Sequence, residues 1–278
     1  MTVAEFVPIV FGASLAAGFL GSLTGLGGGV IVTPVLTLFL GVDLRYAIGA
    51  SLVSVIATSS GAAAAYVRDG YSNIRIGMFL EIATTLGAVF GAFLGTHVPV
   101  SALSIVFGFI LLQAAWQATR EHKLTKTASP PDPLGEQLKL NGSYNDDGRQ
   151  ESYAVHNVKT GFGLMLGAGT ISGLLGIGSG SLKVIALDQA MRIPFKVSAA
   201  TSNFMIGVTA AASASVYLNR GYVNPGIAMP VMLGVLAGSM IGAKFLARLR
   251  VVLLRRVFAV VVGIIAIQMI AAGLGVKF

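Results

Sequence analysis

Apolar residues fill this chain in long runs separated by short polar breaks, at about 6–24, 30–41, 46–67, 74–96 and 100–119, then at about 160–175, 181–191, 197–218, 225–246 and 252–274. A helix needs roughly 20 residues to cross about 30 Å of hydrocarbon, and most of these runs supply that length. Membrane-spanning helices rather than a barrel are expected, giving an all-α integral membrane fold. The first run follows Met1-Thr2-Val3-Ala4-Glu5, without the Lys or Arg that precedes the apolar core of a cleaved signal peptide. It is read as part of the mature fold.

The ten runs form two sets of five. Gly25-Leu26-Gly27-Gly28-Gly29 aligns with Gly176-Ile177-Gly178-Ser179-Gly180 at an offset of 151, and that offset holds without a gap from Gly12/Gly163 to Gln117/Gln268. Those 106 pairs contain 27 identities, where biased composition alone gives roughly a tenth. Ser51/Ser202, Thr58/Thr209, Tyr66/Tyr217, Asn73/Asn224, Gly87/Gly238 and Gly91/Gly242 are among them. The chain is a tandem duplication, with residues 1–119 as repeat 1, 120–158 as a polar linker and 159–278 as repeat 2. The linker stretch "NGSYNDDGR" has the Asn-Gly and Asp-Gly pairs that favour a tight hairpin turn. Its Asp146-Asp147 pair reads as a solvated turn, because adjacent carboxylates point apart and no further ligand has metal-site spacing.

Composition agrees with a membrane setting: 55% of the 278 residues are hydrophobic and 11% charged, against about 25% charged in soluble domains. With no cysteine, disulfides, thiolate metal sites and a persulfide relay are excluded. No metal or other cofactor is expected. The net charge of +8 does not point to nucleic acid, since residues 121–159 hold five basic and six acidic residues and the excess belongs to the membrane part. It sets the topology instead. Placing the Lys244, Arg248, Arg250, Arg255 and Arg256 cluster in the cytoplasm, an odd number of crossings per repeat collects 15 of the 19 basic residues on that side; an even number leaves the sides nearly equal. The repeats are therefore expected to be inverted, with both termini outside and the linker inside.

Glycine breaks then gain a meaning beyond packing. Pairs spaced by four, Gly87/Gly91 and Gly238/Gly242, read as close helix contacts. The clusters at 25–29 and 176–180 are followed by runs too short to span comfortably, so each copy is expected to hold a glycine-broken or re-entrant helix pair. Irregular backbone at membrane depth is tolerated where it is packed in protein or lines a cavity. A short helix starting after glycines aims its N–H groups and positive dipole end at the break, an arrangement suited to an anion. Gly25, Gly27, Gly28, Gly29, Gly176, Gly178, Ser179, Gly180 and Ser181 are candidate substrate contacts on this ground. Ser51, Ser54, Thr201, Ser202 and Asn203, in the following helix of each copy, lie within reach of the breaks and offer uncharged donors. Back-bonding to the helix is the alternative for each.

Among the charged residues inside the apolar runs, three are candidate site residues. Glu81, opposite Met232 in the repeat, is either a proton carrier or a snorkelling residue, and Asp188 is a second coupling candidate with the same ambiguity. Lys183 stands three residues past Gly180, opposite Val32. A charge at bilayer depth costs on the order of 2.5–3.5 kcal/mol on insertion scales, and Asp188 lies roughly 140° away around the helix. Lys183 is therefore expected to face the substrate cavity and be neutralised by the bound anion, with snorkelling as the alternative.

The breaks "GSLTGLGGGVIVTPVL" and "ISGLLGIGSGSLKVIALDQAMRIPFKVSAATSNFMIGVTAAAS", in two halves of equal length joined by a polar loop, resemble the sulfite exporter TauE/SafE family of prokaryotic membrane transporters. Ser179 departs from the family's commoner Gly-Gly-Gly. The resemblance implies a transporter in the prokaryotic cell membrane, moving sulfite, an organosulfonate or a related small anion outward, and not an enzyme. Combined with inverted repeats, it implies alternating access around a midplane site. An anion channel or an uptake permease on the same fold are the alternatives. A serine hydrolase using Ser179 or Ser181 is disfavoured, since His97 lies at an outer helix end and His122 and His156 in the linker, far from a nucleophile that needs a base. The expected partners are a small anionic substrate and the lipid bilayer; homo-oligomerisation stays open.

Overall fold

A computed structural model describes residues 3–24, 28–68, 72–119, 132–146, 149–246 and 251–276. Repeat 1 forms α1 (Val3–Thr24), α2 (Gly29–Leu38), α3 (Leu44–Arg68), α4 (Ile74–His97) and α5 (Val100–Thr119). The linker holds α6 (Pro133–Gln137), β1 (Gly142–Asp146) and β2 (Arg149–Tyr153). Repeat 2 forms α7 (Val158–Leu175), α8 (Gly180–Ile185) with a π-helical turn at Ala186–Ala190, α9 (Phe195–Asn219), α10 (Pro225–Leu246) and α11 (Val251–Gly273). Among the described residues, five helices are long and apolar enough to cross a membrane. Their outward faces carry Leu86, Phe90, Met240 and Ile267, each more than half of its surface exposed, as a lipid-facing surface requires.

Local chemistry sets the helix ends. Asn73 caps α4, its side-chain oxygen accepting from the Ile76 N–H at 3.1 Å. At the end of α7, Gly176 turns left-handed at φ +67 and donates its N–H to the Ser172 carbonyl, the usual glycine stop.

Packing repeats itself with the two copies exchanged. A Cβ at Gly87 on α4 would collide with the Leu166 carbonyl on α7, and one at Gly238 on α10 with the Leu15 carbonyl on α1. The offset of 151 converts one contact into the other. The same holds for Gly18 against the Val235 carbonyl and Gly169 against the Thr84 carbonyl. In each case a backbone packs where a side chain would stand, the small-residue contact typical of membrane helices.

Equivalent helices α3 and α9 lie side by side and antiparallel. Gly49, early in α3, meets the Tyr222 carbonyl beyond the end of α9, while Gly207 in mid-α9 would place a Cβ 2.7 Å from the Ser59 hydroxyl. α5 and α11 also pair antiparallel, Gly108 approaching Ala266 and Gly273 approaching Ser101.

The linker docks onto one end of repeat 2. β1 and β2 pair antiparallel from Gly142↔Tyr153 to Asp146↔Arg149. Leu140 and Val155 are buried with Ile76, Leu80, Met191 and Val197. Asn73 fastens this unit to α4 by donating to the Leu140 carbonyl and the Tyr153 hydroxyl at 3.1 and 2.8 Å. The Asp132 carboxylate caps two helices at once, accepting from the N–H groups of Leu134 and Val158 at 2.9 and 2.8 Å.

Candidate functional site

Between α7 and α8 the backbone leaves helical geometry for four residues. Gly176 and Gly178 take φ +67 and +72, and Ser179 takes φ +43. A left-handed conformation costs a non-glycine residue roughly 1–2 kcal/mol, so Ser179 is strained where its counterpart Gly28 sits at φ −64. The Ser179 hydroxyl is buried without a hydrogen-bond partner among the described residues.

The segment runs between the two equivalent helices. A Cβ at Gly178 would lie 3.0 Å from Ile206 on α9 and 3.1 Å from Val55 on α3. Val55 and Ile206 are themselves equivalent at the offset of 151. Ser51 on α3 reaches the Gly176 carbonyl at 2.9 Å and the Gly29 carbonyl at 3.2 Å. Ser202 on α9 repeats half of this, donating to the Gly180 carbonyl at 3.2 Å. Gly29, at the start of α2, comes close to the other segment too, since a Cβ there would stand 3.5 Å from the Gly176 carbonyl oxygen. Gly28, Gly29, Ser51, Gly176, Gly178, Ser179, Gly180 and Ser202 thus gather around α3 and α9.

Other candidates lie elsewhere or differently. Thr201 accepts from the Asn73 N–H at 3.0 Å, and Asn203 donates back to the Ala199 carbonyl at 3.0 Å, so neither bond goes to a break. Ser54 likewise donates to the Ser51 carbonyl in its own helix. Asp188 is half-buried in the π-helical turn. Gly25, Gly27 and the side chain of Ser181 lie outside the described residues, as do Arg248 and Arg250 of the basic cluster.

Lys183 is completely buried and donates to Thr209 Oγ1 on α9 at 2.6 Å. The same hydroxyl lies 2.7 Å from Glu81 Oε1 on α4 and 2.8 Å from the Met205 carbonyl. Glu81 Oε1 also accepts from Thr85 at 3.1 Å, whereas Oε2 is buried with no partner among the described residues. An unsatisfied buried oxygen costs about 1–3 kcal/mol, more when charged. The lysine and the carboxylate are therefore joined through one hydroxyl, a relay built from α4, α8 and α9. Thr209 was not singled out as a site residue by sequence; the available signal was that Lys183 and Glu81 each replace an apolar residue, Val32 and Met232, at the equivalent position.

Comparisons with known proteins agree with one another. The family model described as "Sulfite exporter TauE/SafE" matches residues 10–269. The chain is similar to the probable membrane transporter protein YunE of Bacillus subtilis, 27% identical over 94% of this chain and 96% of the relative. It is also similar to the probable membrane transporter protein MJ0441 of Methanocaldococcus jannaschii, 26% identical over 95% of each, and to a probable membrane transporter protein of Xylella fastidiosa, 28% identical over 97% of each. No solved structure matches the chain.

Proposed function

This chain belongs to the sulfite exporter TauE/SafE family and is a multi-pass membrane transporter, and we propose that it carries a small, sulfur-containing oxyanion outward across the prokaryotic cytoplasmic membrane. The site lies where the two glycine segments converge on α3 and α9, with Gly28, Gly29, Ser51, Gly176, Gly178, Ser179, Gly180 and Ser202 forming it and Lys183 supplying the positive charge. One observation carries this reading: the start of α2 in repeat 1 and the irregular segment before α8 in repeat 2 meet at Ser51, whose hydroxyl lies within hydrogen-bond distance of the Gly29 and Gly176 carbonyls. Irregular backbone within a membrane belongs where it is packed or faces a cavity.

The repeats are inverted, with the termini outside and the linker in the cytoplasm. Three features support this. The basic residues segregate to one side only under that arrangement. Equivalent helices α3 and α9 pair antiparallel, and the contacts of α1 with α10 recur between α7 and α4. Rocking of one half against the other about the α3 and α9 contact gives alternating access. Glu81 and Asp188 are the candidates for coupling.

Proteoliposomes loaded with sulfite, sulfoacetate, thiosulfate or sulfate test the proposal. Saturable counterflow of a sulfur oxyanion is expected. A steady conductance without counterflow would replace the transporter by a channel, and absence of all four fluxes would remove this substrate class.

A further inference from the structure

We propose that Glu81 and the transported anion compete for Lys183, so that a monovalent anion binds only together with a proton on Glu81. This rests on the anion-transport reading above.

Both ends of the relay have unused bonding capacity. An ammonium carries three donors, and Lys183 has one partner among the described residues, Thr209 Oγ1. At the other end Glu81 Oε2 is buried and accepts no hydrogen bond among the described residues. A proton on Oε2 would remove the charge from the partnerless oxygen, and an anion on Nζ would use the ammonium's spare donors.

Thr209 lets the relay take two forms. Its hydroxyl has one hydrogen and two acceptors at nearly equal distance, Glu81 Oε1 at 2.7 Å and the Met205 carbonyl at 2.8 Å. With Glu81 ionised, the hydroxyl donates to the carboxylate and links it to the ammonium. With Glu81 protonated, it turns to Met205, as its counterpart Thr58 does toward Ser54 at 3.0 Å.

Charge balance couples the two events. Glu81 ionised beside an empty Lys183 is neutral overall, and so is protonated Glu81 with one monoanion on Lys183. The two mixed states leave a net charge in a buried site, which is strongly disfavoured. Proton and anion therefore favour each other's binding by the same factor. A dianion such as sulfate leaves one charge over and is selected against.

The charges around Glu81 are few. Lys183 is the charge that acts on it, with Thr84 and Thr85 on its own helix and Thr209 on α9 as its polar neighbours. Of the other helices packed near it, α7 carries Lys159 and α9 carries Lys196, both exposed, while Tyr217 on α9 donates to the Leu174 carbonyl. Asp188, in the π-helical turn, is half-buried.

The test uses the purified protein with methanesulfonate and isethionate, monoanions throughout the working pH range, and sulfate as the dianion. Affinity for either sulfonate should rise about tenfold per unit fall in pH, the slope of one linked proton, and binding in weak buffer should take up to one proton per anion from the medium. Glu81→Gln should bind at every pH as the wild type does at low pH, with no proton uptake. Lys183→Gln should bind neither sulfonate. Wild-type affinity that is flat with pH and unaccompanied by proton uptake overturns the inference even if Glu81→Gln does not fold, as does a Glu81→Gln variant with wild-type pH dependence; either leaves the transport reading standing. Sulfite exchange without sulfonate binding overturns the monoanion assignment. Absence of binding and of exchange for every sulfur oxyanion overturns the transport reading itself.

Discussion

Ser51 in the first repeat donates a hydrogen bond to the carbonyl of Gly176 in the second, at 2.9 Å. The bond closes the end of α7 against α3 and ties the two repeats together beside the start of α2. Ser51→Ala leaves that buried carbonyl without its donor, and the expected loss is about 1–3 kcal/mol of stability. Thermal unfolding in detergent micelles would measure it, and an unchanged midpoint would mean that the contact is not maintained.

Gly87→Ala and Gly238→Ala should be destabilising to a similar degree. Each added methyl meets a backbone carbonyl, of Leu166 in one case and Leu15 in the other, and neither carbonyl can move without shifting its helix. Gly163→Ala, where nothing lies within 4 Å, is the control and should be nearly neutral. The three variants can be ranked by their unfolding temperatures.

Ser179→Gly should stabilise the fold by about 1 kcal/mol, because it relieves a left-handed residue and removes an unpaired buried hydroxyl. If that hydroxyl contacts substrate, the same variant loses affinity while gaining stability. Parallel measurement of the unfolding midpoint and of anion counterflow separates the two effects.

Orientation can be read with single cysteines, since the chain has none of its own. Ser152 in the linker and Asn219 at the end of α9 are both exposed. In intact cells, an impermeant thiol reagent should label Asn219→Cys and spare Ser152→Cys. The reverse pattern would turn the molecule over.

Burial raises the Tyr153 phenol above its usual 10.0, with the Asn73 hydrogen bond opposing in part. The folded state therefore holds this proton more tightly than the unfolded one. The stabilisation is complete below pH 10 and is lost as pH rises through the elevated value. Alkaline unfolding of the linker should show this loss in the wild type, and Tyr153→Phe should lack it while forfeiting about 1 kcal/mol from the Asn73 contact.

Helices were legible because apolar runs near 20 residues leave a membrane chain few other choices. The relay was not. Glu81 and Lys183 are far apart in sequence, and no spacing rule relates residues on different helices. Helix rotation was a second blind spot. Thr201 and Ser202 are neighbours, about 100° apart around α9, so they face different surroundings: Ser202 turns to Gly180 and Thr201 to Asn73. Residue type alone treated them as equals. The linker's docking was equally hidden, since Leu140 and Val155 are isolated apolar residues in a polar stretch, and only the fold reveals that they cover Met191 and Val197.

The exchanged contacts of α1 with α10 and of α4 with α7 bear on how the chain is made. Its first half leaves the ribosome with the main partner of α1 still unsynthesised, so Gly18 and the Leu15 carbonyl lack their α10 contacts until that helix enters the bilayer. α4 is completed sooner, by α7, directly after the linker. Pairing therefore begins with α4 and α7 and leaves α1 and α5 waiting for α10 and α11, so a truncation after α9 strands two helices of the first repeat.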